Sequence, residues 1–216
     1  FLAQWDYITG VLFERLEDDL GATPGVTAVT SSFIPALAGS NWGTDVAVEG
    51  FTTGPDIDSN ARFNTIGDGY FRTMGVPLIA GREFTRADQL KGAKVAIVNE
   101  TFAKKFHLGR DAVGRHIGSD GSDKLDTEIV GLVQDAKYSR VKDTVPPLFF
   151  RPWAQSDQVG QLSFYVRTSL PPEAFLATIQ IAITAVGTLA SAVGGATAVE
   201  ALTPELTRLG LGTWAH

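Results

Sequence analysis

Lys94-Val95-Ala96-Ile97-Val98-Asn99-Glu100-Thr101-Phe102-Ala103-Lys104-Lys105-Phe106 changes periodicity at Asn99, and that change sets the fold class. Before Asn99 four apolar residues run together, the pattern of a short strand buried on both faces. After it Phe102 and Phe106 recur four apart beside two lysines, the spacing of an amphipathic helix. Asn99 suits the N-cap because its side-chain oxygen can accept a free first-turn amide, and Glu100 faces the positive end of the helix dipole. The stretch predicts a strand over Lys94 to Val98 and a helix from Asn99 to Phe106, closed by Gly109. Phe102 and Phe106 are expected to be buried, Lys104 and Lys105 exposed.

Working towards the C-terminus, Ile117 and Thr127 to Gln134 flank a Gly/Asp/Ser turn and read as a hairpin. Leu148 to Arg151 and Leu162 to Arg167 read as two more strands. Towards the N-terminus, Asp68 to Met74 is a short helix stopped by Gly75, followed by extended Val76 to Ile79 and a turn at Ala80-Gly81-Arg82. Asp45 to Glu49 and Ala61 to Ile66 are β-like and separated by turn-formers from Thr52 to Asn60, while Ala38 to Gly43 is a loop. Val26 to Phe33 is a strand after the turn Thr23-Pro24-Gly25. Asp6 to Leu20 has apolar Ile8, Leu12, Leu16 and Leu20 with Glu14, Arg15, Glu17, Asp18 and Asp19 between them, a helical period. Strands and helices mix without strict βαβ alternation, so the expected class is α+β.

Ala174 to Val199 carries no charge and is long enough to be weighed as a membrane span. Gln180, its threonines, Gly187, Gly194 and Gly195 favour instead a buried amphipathic helix from Pro172 to Val186, then a loop and a short strand.

The 216 residues suffice for one large domain or two small ones, and 44% hydrophobic with 19% charged residues is a globular composition. A net charge of −6 argues against a nucleic-acid partner, since binding phosphates requires a cationic face. The charge is uneven: Arg82 to Arg115 holds eight Lys/Arg against four Asp/Glu. With no cysteine there is no disulfide, thiolate metal site or thiol nucleophile. The chain opens at Phe1 without a signal peptide and reads as an excised fragment.

No motif for chemistry is complete. There is no Gly-Lys pair for a phosphate-binding loop. Gly118-Ser119-Asp120-Gly121 has the wrong spacing for a serine hydrolase elbow. Asp56-x-Asp58-x-Asn60 opens like a calcium loop, but Ala61 stands where glycine is required and Gly67 where the bidentate glutamate belongs. Asp120, Asp123 and Asp126 read as turn residues. His107, His116 and His216 lack the spacing of a zinc site and read as surface residues. Asn99-Glu100-Thr101 matches a glycosylation sequon, but the cap explains Asn99 better. The reading is therefore non-enzymatic, with no catalytic residue, metal or cofactor.

Two strings carry a family resemblance. Gly69-Tyr70-Phe71-Arg72-Thr73-Met74-Gly75-Val76-Pro77-Leu78-Ile79-Ala80-Gly81-Arg82-Glu83-Phe84 is similar to a string of MacB-like periplasmic core domains, which lie between the first two transmembrane helices of FtsX-type ABC permeases. Val95 to Ala103 with Gly114-Arg115-His116-Ile117-Gly118 resembles its continuation. Pro24-Gly25-Val26, Glu128 to Val133 with Asp135, and Val166-Arg167-Thr168 extend the agreement over roughly Asp6 to Ile183. The sequence departs at Val186-Gly187-Thr188-Leu189-Ala190, where the family has a more polar turn.

The resemblance implies mixed sheets in two subdomains: a porter-like βαβ part from residues 1–66 and 145–216, and a β-rich Sabre-like part from 67–144. It implies a non-catalytic domain on the periplasmic side of an inner-membrane permease, transmitting conformational change and docking partners or substrate during export. The implied partners are the permease's own transmembrane helices, indirectly a cytoplasmic ATP-binding subunit or domain, and a second copy or a periplasmic adaptor. Tyr70, Phe71, Phe84 and Phe102 are expected to fill the core. Lys104, Lys105 and Arg110 are the candidate partner-facing residues of the basic stretch, which reads first as a solvated helix face and in principle suits anionic lipid or an acidic protein face. The rival readings are a stand-alone ligand- or peptide-binding module and, last, a hydrolase. An insertion between membrane helices also predicts that Asp6 and Leu206 lie on one face, with Trp5, Tyr7 and Trp214 at the ends.

Overall fold

The computed structural model describes residues 2–39, 42–52, 54, 56–89, 92–118, 124–156, 161–171 and 175. The chain divides into two units, Phe1–Arg167 and Thr168–His216. Apart from Thr168, which ends the last strand, the elements below belong to the first. The helix expected over Pro172 to Val186, the weighed span over Ala174 to Val199, the departure at Val186 to Ala190, His216 and the Asp6–Leu206 approach fall on or depend on residues outside those described. Among the described residues no helix is long and apolar enough to cross a membrane.

The helices are α1 (Leu2–Gly21), α2 (Tyr70–Met74), α3 (Arg86–Gln89) and α4 (Glu100–Lys105). The strands are β1 (Val26–Ser32), β2 (Gly43–Asp45), β3 (Ala47–Val48), β4 (Asn60–Ile66), β5 (Leu78–Gly81), β6 (Val95–Asn99), β7 (His116–Gly118), β8 (Thr127–Val133), β9 (Leu148–Pro152) and β10 (Ser163–Thr168). They form one mixed sheet in the order β10-β1-β4-β9-β6-β8-β7-β3, with β2 also on β4 and β5 also on β8. The pairs β4–β9 and β6–β8 are parallel, and β7–β8 is the antiparallel hairpin that the turn signal predicts.

The central strand β6 is buried at every position. Its side chains alternate between two apolar clusters, one on each face of the sheet. Ala96 and Val98 join Phe102, Ala103 and Phe106 of the α4 segment, with Ile117, Ile129 and Phe149. Val95 and Ile97 join Tyr70 and Phe71 of α2, with Phe84, Val133 and Phe150. The four expected core aromatics are therefore in the core, on opposite faces.

Asn99 caps α4 as expected, its Oδ1 accepting the Phe102 amide at 2.9 Å. The same atom accepts the Leu148 amide and Nδ2 donates to the Pro146 carbonyl, so one side chain ties α4 to the start of β9. Gly75 ends α2 in the left-handed conformation.

Three local expectations are corrected, and one element was not foreseen. The first helix begins at Leu2 instead of Asp6. The extended run Asp45 to Glu49 is two strands, because β2 pairs with β4 while β3 crosses to β7. Ala80 and Gly81 belong to β5, not to a turn, and Gly81 sits at φ 75° where an added Cβ would lie 2.2 Å from the Val130 carbonyl oxygen. That glycine permits the close approach of β5 to β8. The short helix α3 gave no apolar period, and its start is fixed by Asp88, which accepts both the amide and the hydroxyl of Thr85.

Candidate functional site

The basic stretch Arg82 to Arg115 sorts its cations by partner. Arg82 pairs with Asp88, Arg86 with Asp18, Lys94 with Asp126, Lys105 with Asp58 and Arg115 with Glu49. Among the described residues of this stretch, Lys104 and Arg110 are the cations that form no ion pair. Both line one groove of about 600 Å³ beside α4.

The groove is built from the C-terminal half of the α4 segment and the edge of the sheet. Ala103 and Leu132, both buried, make its floor, and Ile79 with the exposed Leu78 forms the β5 side. Glu100 and Gln134 stand at the end nearest the start of α4. Arg110 reaches the other end because the chain turns sharply after the helix: Phe106 is the C-cap, and His107 and Gly109 take positive φ values of 57° and 59°. The Leu108 amide donates to the Ala103 carbonyl at 2.8 Å, which satisfies the helix end and folds the turn back. Along the slot the charge thus runs from an acid at the helix start to two cations at and beyond its end.

Of the three expected partner-facing residues, the structure brings Lys104 and Arg110 together and sends Lys105 elsewhere. Lys105 is partly buried, contrary to the exposure expected of it. Its ammonium donates to the Asn60 carbonyl at 2.7 Å and lies 2.8 Å from Asp58, whose carboxyl is held below its usual range by that bond. Asp58 also accepts the Asn60 amide, so the calcium-like string Asp56 to Asn60 is a turn pinned to α4. Leu78, Ile79, Glu100, Leu132 and Gln134 escaped the sequence reading, since nothing local says that β5 and α4 border the same slot.

Among the described residues no three His, Asp or Glu side chains converge as metal ligands. His116 is half-exposed beside Glu49, its Nδ1 3.2 Å from the carboxylate, and His107 packs on Phe51.

The profile of the MacB-like periplasmic core domain matches residues 4–209. The chain belongs to that family. This MacB-like core domain shares its fold with the periplasmic region of MacB from Actinobacillus actinomycetemcomitans, at a TM-score of 0.55 and 15% identity over 79% of this chain and 72% of the other. It also aligns with the extracellular domain of the ABC-type transporter YknZ from Gram-positive bacteria, at 0.48 and 18% identity over 73% of each chain. A third alignment is with a domain of a permease protein from Porphyromonas gingivalis, at 0.49 and 20% identity over 73% of this chain and 69% of the other. No curated protein matches the chain significantly in sequence.

A second cluster of charges in the MacB-like domain joins α1 to the sheet. Glu17, expected among the polar residues of its helix, turns its carboxyl inward to accept the hydroxyl of fully buried Ser31 at 2.5 Å. Gly67 leaves the room for this contact: a Cβ there would lie 2.9 Å from Ser31 Oγ and 3.0 Å from Glu17 Oε1. Burial pushes the Glu17 carboxyl up to about 7, against the Ser31 hydrogen bond and Arg86, with Asp68 and Asp18 adding to the rise.

Proposed function

We propose that this chain is a non-catalytic extracytoplasmic domain of an ABC transporter permease, which transmits conformational change and docks partners or substrate during export. The observation that carries the reading is the family match over residues 4–209, on a fold shared with the periplasmic region of MacB. On this reading the domain stands on the periplasmic side of the inner membrane and is attached to the permease's own helices. ATP is hydrolysed by a separate cytoplasmic subunit or domain, and a second copy or a periplasmic adaptor completes the assembly.

A continuous sheet is a suitable body for such a relay, since densely packed cores move as units instead of deforming smoothly. The sheet order also supports the two subdomains. Strands β10, β1, β4 and β9 come from residues 1–66 and 145–216, the porter-like segments, and occupy one half. Strands β6, β8 and β7 come from 67–144, the Sabre-like segment, and occupy the other, with β3 crossing over to its far edge. The β9–β6 pair is the seam, at Ile97↔Phe150 and Val98↔Phe149.

The test is amide hydrogen exchange on the intact permease with its ATPase in nanodiscs, nucleotide-free and trapped with a non-hydrolysable ATP analogue. A relay predicts altered protection within this domain when nucleotide binds across the membrane. Identical exchange in the two states would overturn it.

A further inference from the structure

We propose that the groove between α4 and β5 seats an extended acidic peptide segment of a partner protein, with its carboxylates on Lys104 and Arg110 and an apolar side chain on the Ala103–Leu132 floor. The inference deepens the docking role and rests on that reading for its biological setting, but the binding itself is a property of the chain alone.

The occupant's charge follows from which cations remain free. Five cations of the basic stretch are neutralised within the fold, at distances from 2.7 to 3.3 Å. Among the described residues of the stretch the two that are not, Lys104 and Arg110, line the same slot in a chain whose net charge is −6. Unpaired like charges held on one concavity raise the local potential and favour an anionic occupant. Glu100 lies one helical turn before Lys104 and lines the same slot, but it forms no ion pair with that lysine, and its Oε2 instead accepts the Asp135 amide at 3.2 Å.

The occupant's form follows from shape. The floor residues Ala103 and Leu132 are 3% and 2% exposed, while Leu78 on the lip is 38% exposed. An apolar floor recessed between a helix and a strand is reached by single side chains projecting from an extended chain, and a flat bilayer surface cannot reach it. A free anion would use the two cations but would leave Leu78 and the floor uncovered. Alternating apolar and acidic residues place apolar side chains towards the floor and carboxylates towards the rim.

The probe is a fluorescein-labelled peptide of roughly eight residues alternating Leu and Glu, titrated with the full chain and read by anisotropy. Saturable binding is expected, weakened about tenfold by the double variant Lys104→Glu/Arg110→Glu and by raising salt from about 50 to about 300 mM. Leu78→Asp weakens it several-fold by removing the apolar lip, and Lys142→Glu, an exposed charge outside the groove, leaves it unchanged. All the substituted side chains are exposed, and unaltered thermal melts confirm that each variant folds.

Equal binding of a Leu/Lys peptide, full binding by the double variant, or no saturable binding would overturn the proposal. So would phosphatidylglycerol vesicles bound through Lys104 and Arg110 without peptide binding, which would make this a lipid-facing surface. Loss of peptide binding with a normal nucleotide response in the intact permease would sink the groove and spare the relay. The reverse pattern would spare the groove.

Discussion

Replacing Glu17 with Gln should stabilise the domain above neutral pH and leave it nearly unchanged in acid. The Glu17 carboxyl titrates at about 7 in the folded chain, against 4.5 for an ordinary glutamate. Below the lower value the side chain is protonated in both the folded and unfolded states, and the folded state bears no penalty. Between the two values the unfolded chain ionises first, so it binds fewer protons and stability falls as pH rises. Above the upper value the penalty is complete. A shift of this size corresponds to about 3 kcal/mol, and partial exposure of the carboxyl reduces it to about 1–2 kcal/mol. Gln keeps an oxygen to accept the Ser31 hydroxyl and removes the charge. Urea unfolding followed by tryptophan fluorescence at pH about 4 and about 8.5 gives the difference directly. Background titrations, such as that of Asp88 with its lowered carboxyl, cancel between wild type and variant. A wild type and variant that differ by the same amount at both pH values, or a variant less stable at the higher one, would refute the reasoning.

Asn99→Ala removes three hydrogen bonds from a side chain 2% exposed, and denaturant titration should show a loss of about 2–4 kcal/mol. Gly81→Ala places a methyl 2.2 Å from a carbonyl oxygen at φ 75°, for an expected cost of about 3 kcal/mol or more. Gly114→Ala, at φ 87° with open space around it, should cost only about 1 kcal/mol, and equal losses at the two glycines would show that contact is not the cause.

The sequence alone determined what depends on a few neighbouring residues. Asn99, Phe102 and Phe106 announce a capped helix with an apolar stripe, and Gly75 announces a stop, because caps, periods and left-handed turns are set within one or two helical turns. The family was legible for a related reason: its strings are runs of turn glycines and core aromatics in fixed order. Tertiary structure decided which charges are free. Lys104 and Lys105 are adjacent and chemically identical, yet only one is neutralised. The strand start at Asn60, 45 residues away, comes to rest beside the Lys105 face of α4 and not beside the other. Glu17 looked like one of several solvated acids, and its burial depends on Ser31 of β1 and on Gly67, the residue after β4, meeting it across the fold. The groove belongs to the same class, since its walls are set by the pairing of β5 with β8 and by α4 packing on the same face. Pairing between distant segments depends on long-range register and burial, which no local pattern encodes.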